Sequence, residues 1–359
     1  MSEPATDHVL LRGLNDAQRR AVLHPGGPLL VFAGAGSGKT RVLTHRIAYL
    51  MAERGVPAHR IFAATFTNKA ANEMRERTEK LIGRSCRGMW IGTFHACCAR
   101  MLRESGSSVG LNPRFVVFDD ADQMAAIRAC LRALQISEER FAPRAVLSAI
   151  SRAKERLITA EQYAENHHGY FEDVVSRVYA AYQEQLASDG ALDFDYLLMR
   201  AVAMMKDNPE VRQFYQRRFD HILVDEYQDI NYAQFALVEL LAAGTRNVCV
   251  VGDDDQSIYA FRGARVDLIL RFERDYPDAT VVKLEQNYRS TQAILDAAHR
   301  VVSHNRTRHP KRLWTQTKGG QPIEAREVPN EQEEAVFVAN RILTHVSSGG
   351  SFSDCAVLY

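Results

Sequence analysis

The chain has 359 residues, 46% of them hydrophobic and 25% charged, which is too long for one ordinary domain and enough for two or three sizeable cores. Lys and Arg number 45 against 44 Asp and Glu, so a net charge of +1 supplies no global field, and a nucleic-acid partner would have to meet a local basic patch. No apolar run approaches membrane-spanning length, and the opening MSEPATDHVLLRGLNDAQ lacks the basic and apolar regions of a secretory signal; neither a membrane partner nor export is expected.

In chain order, short β-branched runs at 29–33, 61–66, 89–93 and 115–118 alternate with helical stretches. Several are apolar throughout, the pattern of parallel strands covered on both faces. From 119 to 189 the periodicity becomes that of consecutive amphipathic helices, read as an insertion between two strands of one sheet. Strands resume at 221–225, 248–252 and 280–284. A fresh segment begins near 285, with a helix over about 290–305, a polar loop to 320, a strand near 323–327 and a helix over 331–346. SFSDCAVLY then starts like a strand, and a chain stopping there is expected to be truncated. The fold class is α/β with a parallel sheet and helical crossovers. Cysteines at 86, 97, 98, 130, 249 and 355 form no CxxC pair and predict free thiols in a reducing cytoplasm, not a zinc site.

LLVFAGAGSGKTRVL reads as a strand, a Gly-rich turn and a helix start. The usual phosphate-loop pattern asks for Gly where Ala33 stands. Gly34, Gly36 and Gly38 still allow backbone N–H groups to turn toward phosphate oxygens. Lys39 is placed to reach the β- and γ-phosphates, and the Thr40 hydroxyl to bind Mg²⁺. HILVDEYQD supplies acids after a strand: Asp225 for Mg²⁺, and Glu226 as the base that orients and deprotonates a water. An acidic pair after a strand is by itself often a solvated turn; its pairing with the Gly-rich loop favours the catalytic reading. The base is expected to be adenine, because the sole Asn-Lys pair, Asn68-Lys69, lacks the Asp of a guanine-reading NKxD element.

With these motifs in place, the chain from about Leu14 to Tyr359 resembles superfamily 1 helicases of the UvrD/PcrA/Rep group. GLNDAQRRAV is similar to that family's adenine-reading segment, with Gln18 on the base. AGAGSGKT is the family's own phosphate loop, from Ala33 through Gly34, Ala35, Gly36, Ser37 and Gly38 to Lys39 and Thr40. ATFTNKAANEMRER resembles an element that grips single-stranded DNA and includes Phe66, Thr67 and Asn68. TFHACCARMLR, with Thr93 and His95, and LDFDYLL, with Phe194, resemble further DNA elements. VVGDDDQSIYAFRGA resembles the link between ATP site and DNA track, with Gln256 as γ-phosphate sensor. LEQNYRS looks like the first element of the second motor domain.

The resemblance implies two RecA-like domains with ATP and Mg²⁺ between them. It divides the chain into 1–118 plus 190–283, an all-helical subdomain at 119–189, and the start of a second RecA-like domain at 284–359. Arg289 would stabilise the transferring phosphoryl group from across the cleft, Tyr288 would stack on adenine, and Arg41 would touch nucleotide. Phe66, Phe194, Tyr259 and Phe261 would stack on bases and Arg262 would bind phosphate. Phe261 departs from the family's commoner Trp. Taken singly, these aromatics read as core and Arg289 as a surface ion-pair partner; position within the motifs reverses that. The basic run ISRAKER, with Arg152, Lys154 and Arg156, fits either DNA phosphates or a solvated helix face.

The implied partners are single-stranded DNA, single/double-strand junctions and repair proteins, and the implied movement is 3′-to-5′. The family's later motifs do not occur, so the chain by itself is expected to bind Mg²⁺-ATP and hydrolyse it poorly. The competing readings are the helicase half of a recombination helicase–nuclease, a binding module without catalysis, and a small-molecule kinase.

Overall fold

The computed structural model describes residues 9–166 and 168–359. Its strands are β1 (Leu29–Ala33), β2 (Ile61–Thr65), β3 (Trp90–Thr93), β4 (Val116–Phe118), β5 (Ala191–Asp193), β6 (His221–Val224), β7 (Val248–Gly252), β8 (Thr280–Leu284), β9 (Gln286–Asn287) and β10 (Trp314–Thr315). Six of them form one parallel sheet in the order β3-β2-β6-β7-β1-β8. Alternate residues of each strand serve opposite faces, as the two-residue period requires. Leu29, Val31 and Ala33 pack with Val42, Leu43 and Ile47 of the helix Lys39–Ala52. Leu30 and Phe32 face a second core built by the helices Phe94–Ser105, Phe194–Asp207 and Tyr232–Ala242. Both faces are covered, which is why these strands read as unbroken apolar runs.

The segment 115–118 departs from expectation. Phe115 is core, but β4 does not join the main sheet; it pairs with β5, Val116 opposite Ala191. The chain enters and leaves the helical insertion side by side, so the two crossings satisfy each other's backbone groups. The insertion comprises helices Asp120–Ala133, Pro143–Glu155, Ala160–Asn166 and Tyr170–Ser188 around its own core, including Ile127, Val146, Ile150, Val178 and Tyr182.

Two further strand expectations fail. Residues 321–328 have no regular structure, and 352–354 form a single turn of 3₁₀ helix followed by irregular backbone to Tyr359. A strand needs neighbours for its N–H and C=O groups, and among the described residues neither segment pairs with one. The expected helices are present as Gln292–Val302 and Glu331–Ser347.

Lys154, in the basic run ISRAKER, fits neither the DNA-contact nor the solvated-face reading. It is fully buried; its Nζ lies 2.5 Å from Asp193 Oδ2 and within 4.7–5.7 Å of the ring centroids of Tyr179, Tyr182 and Tyr196. Burial pulls the lysine pKa down, and Asp193 opposes that. Asp193 also caps the helix Phe194–Asp207, accepting from Tyr196 N at 2.7 Å. The pair therefore joins the insertion to the helix that carries Phe194.

Beside it, Asp195 accepts from Ser151 Oγ at 2.5 Å. Burial and then Asp193 push its carboxyl up to about 6, against Ser151 and Lys154. The unfolded chain releases this proton near the ordinary aspartate value and the folded chain releases it later. Folding therefore loses stability as pH rises through about 6. Asp195→Asn is expected to match the parent near pH 4 and to exceed it at pH 8 by on the order of 2 kcal/mol in urea denaturation. An advantage no larger at pH 8 than at pH 4 would contradict this assignment.

Candidate nucleotide and DNA site

The buried strand β1 delivers the Gly-rich loop, and Gly38 starts the helix Lys39–Ala52. Gly36 and Gly38 have φ of 68° and 91°, the left-handed region that favours glycine. A Cβ on Gly36 would lie 2.6 Å from Asn287 Nδ2, and one on Gly38 2.8 Å from Gln18 Nε2. Ser37 is buried, and its Oγ donates to Gly34 O at 2.7 Å. Ala33 is buried at the end of β1, and Ala35 O accepts from Asn287 Nδ2 at 2.6 Å. Thr40 and Arg41 follow on the first helical turn, and the Arg41 guanidinium lies against Gly13.

At the head of the loop, Gln18 is buried and already engaged. Its Oε1 accepts from Asn15 N at 3.0 Å and its Nε2 donates to Ser37 O at 2.9 Å. Tyr288 comes to the same side, its hydroxyl accepting from Asn15 Nδ2 at 2.8 Å while its N donates to Gly36 O at 2.9 Å. Arg289 adjoins the loop too: its Cβ lies 2.8 Å from where a Gly36 Cβ would stand, and its side chain is exposed. Asn287 sets this geometry, for its Oδ1 accepts from the N–H groups of Arg289 and Ser290 at 2.8 and 2.7 Å. Sequence reasoning passed over Asn287, although it stands in the middle of LEQNYRS.

Asp225 follows β6 and is buried. Burial first and Glu226 second push its carboxyl up to about 7, while Lys39 opposes them. Glu226 takes φ of 50°, a left-handed conformation that costs a non-glycine residue about 1–2 kcal/mol. In that conformation its Oε2 lies 2.6 Å from Lys39 Nζ. Gln256 Oε1 lies 3.5 Å from the same ammonium. Gln228, which follows the acids of VDEYQD, is not marked by their spacing. It is buried; its Nε2 donates to Glu226 Oε2 at 2.9 Å and its Oε1 accepts from Asp253 N at 2.9 Å. One hydrogen-bonded set thus joins Lys39, Glu226, Gln228 and Gln256. These residues fit a triphosphate with a hard divalent cation: a cradle with no room for side chains, a lysine, and oxygen donors on Thr40 and Asp225.

The DNA candidates gather along one wall. The Phe66 and Tyr259 rings lie 4.9 Å apart at 31°, and those of Tyr259 and Phe261 5.9 Å apart at 41°. Arg262 Cζ sits 5.7 Å from the first and 5.6 Å from the second ring of that latter pair. His95 meets Phe194 edge-on at 5.7 Å, and burial holds its imidazole below the usual value. Phe66, His95, Phe194, Phe261, Arg262 and, from the insertion, Arg152 line a cavity of about 990 Å³. Phe261 is 78% exposed, which suits a stacking platform better than a core position. Thr67 and Thr93 cap helices, accepting from Ala70 N at 3.1 Å and Ala96 N at 3.2 Å, and Asn68 is exposed on the first turn after Thr67.

A parallel sheet with a Gly-rich loop after one strand and acids after another defines a P-loop nucleotide-binding protein. Residues 14–277 match the family described as UvrD/REP helicase N-terminal domain, and residues 282–359 that described as UvrD-like helicase C-terminal domain. The chain belongs to the UvrD/REP helicase family, and its six-stranded sheet agrees with a RecA-like helicase domain. It is similar to the ATP-dependent DNA helicase PcrA of Bacillus subtilis, with 50% identity over 98% of this chain and 48% of that protein. The proteins of the same name from Staphylococcus epidermidis and Staphylococcus aureus are 47% and 46% identical over the same shares. The chain thus spans about half the length of these relatives. Among the described residues no helix is long and apolar enough to cross a membrane.

Proposed function

We propose that this chain forms the ATP-binding part of a DNA helicase that uses Mg²⁺-ATP to move 3′-to-5′ along single-stranded DNA and to open junctions in DNA repair or replication. Residues 1–118 and 190–283 are the first motor domain, 119–189 its inserted helical subdomain, and 284–359 the start of the second. The free thiols suit the reducing cytoplasm.

The reading rests above all on one loop. Gln256, which touches Lys39, lies three residues before Tyr259, whose ring lies tilted against that of Phe66. A change at the γ-phosphate would therefore have a short route, three residues long, to the rings proposed to grip bases. Lys39 binds the β- and γ-phosphates, Glu226 takes the proton of the attacking water, and Arg289 supplies positive charge where the transferring group develops negative charge. Thr40 and Asp225 would hold Mg²⁺, which would supply positive charge against the phosphates. Before nucleotide binds, Lys39 and Glu226 neutralise each other; phosphate would draw the ammonium away and leave the carboxylate to face water.

Phe66→Ala and Tyr259→Ala are each expected to weaken binding of a labelled oligonucleotide by about 1–3 kcal/mol, with nucleotide affinity little changed. Fluorescence anisotropy measures both. Unaltered DNA affinity in both variants would contradict the stacking role. Direction is read by comparing arrival times at the 5′ and 3′ ends of end-labelled strands.

A further inference from the structure

Asp253, Asp254 and Asp255 follow β7 and bring their carboxylates close enough together to hold a cation. A side chain of this chain takes that place. Lys311 Nζ lies 2.8 Å from Asp253 Oδ1, 2.5 Å from Asp254 Oδ1 and 2.7 Å from Asp255 Oδ2, and all four side chains are at least nine-tenths buried. Arg308 adds a two-point contact to Asp255, at 2.7 and 2.9 Å, and His309 N donates to Asp254 Oδ2 at 2.5 Å. Burial alone would lower the Lys311 pKa, but the three aspartates outweigh it and hold the ammonium above its usual value.

Asp253 is where this cluster meets the nucleotide site. One carboxylate oxygen accepts from Lys311, and the other accepts from Gln256 Nε2. Its Oδ1 also accepts from Asp255 N at 3.2 Å, capping the turn Asp254–Gln256, and its N–H donates to Gln228. Gln256 in turn faces Lys39. The chain of contacts therefore runs from Lys311 through Asp253 and Gln256 to Lys39 and Glu226. Without the ammonium, Arg308 alone would be left against three adjacent carboxylates in a desolvated place, Asp253 and Asp254 would lose their cation, and the turn that aims Gln256 would open. Lys311 belongs to the stretch after Arg289 that also lays Leu313 on Gly34. The arginine and the lysine thus reach the nucleotide site from one side.

We propose that Lys311 is a positioning residue for the γ-phosphate sensor: it neutralises the Asp253–Asp255 turn and so fixes the Gln256 amide toward Lys39. This rests on the reading of Gln256 as sensor.

The test uses the protein at its natural length. Lys311→Met, Gln256→Ala and the double variant are compared for ATP turnover with single-stranded DNA. Both single variants are expected to lose about 10- to 100-fold in kcat, with affinity for a fluorescent ATP analogue within about threefold. The double variant is expected to be no slower than the slower single variant. Amide exchange over residues 253–257, without nucleotide, is expected to quicken about tenfold in Lys311→Met. Multiplying losses, an unchanged kcat or unchanged exchange would overturn the proposal. Should Lys311→Met fail to fold, Lys311→Gln, which keeps a hydrogen-bond donor among the aspartates and removes only the charge, takes its place in the same comparison. A parent without DNA-stimulated turnover would defeat the helicase reading, while the exchange measurement would still decide the Lys311 contact.

Discussion

Arg289→Ala is expected to slow ATP turnover by about 10³–10⁵-fold, the range found when such an arginine is removed from phosphoryl-transfer sites. Nucleotide affinity should fall far less, because Lys39 and the loop backbone stay in place. The basis is positional. Asn287 holds the Arg289 and Ser290 N–H groups and the Ala35 carbonyl at once, so the arginine backbone is tied to the loop while its side chain stays exposed. On the proposed reading, a guanidinium on such a mount would reach the phosphates as the cleft closed, and turnover would then depend on closure. Single-turnover kinetics with a nucleotide-binding control would separate the steps; turnover within tenfold of the parent would remove Arg289 from the mechanism.

Lys154→Met is expected to cost about 3–5 kcal/mol of stability, the usual consequence of leaving one member of a buried ion pair without its partner. Asp193 is 2% exposed, so a carboxylate left there without its ammonium would be desolvated. Adding Asp193→Asn should recover most of the loss, because Asn still caps the helix and carries no charge. The methionine remains among the rings of Tyr179, Tyr182 and Tyr196, where thioether contacts are favourable. Urea denaturation of the three variants tests this. A double variant as unstable as Lys154→Met would show that the charge pair is not what matters.

These cases mark what could be read in the sequence. The roles proposed for Lys39, Thr40, Asp225 and Glu226 are legible in local spacing, since a phosphate loop and a strand-end acid are each built from a few consecutive residues. Lys154 was misread, although a signal existed: it stands four residues after Ile150 on the helix whose Val146, Ala149, Ile150 and Ala153 are buried. The composition of ISRAKER drew attention to charge, and the helical period placed that lysine inward. Strand β5 is three residues long, too short for alternation to mark it. The strand expected at 323–327 had a suitable pattern but no neighbour among the described residues. Lys311 and the aspartates are more than fifty residues apart, and nothing local in either segment announces the other. Asn287 and Gln228 lay inside recognised motifs, but the roles of a buried amide come from contacts with other loops.

The central claim is that nucleotide chemistry at Lys39 is coupled to a grip on single-stranded DNA. The direct test is the steady-state ATPase rate of the natural-length protein with and without a single-stranded oligonucleotide, beside Lys39→Ala. The account predicts marked stimulation by DNA in the parent and negligible turnover in the variant under both conditions. An ATPase rate indifferent to DNA, or a Lys39→Ala protein that hydrolyses ATP like the parent, would contradict it.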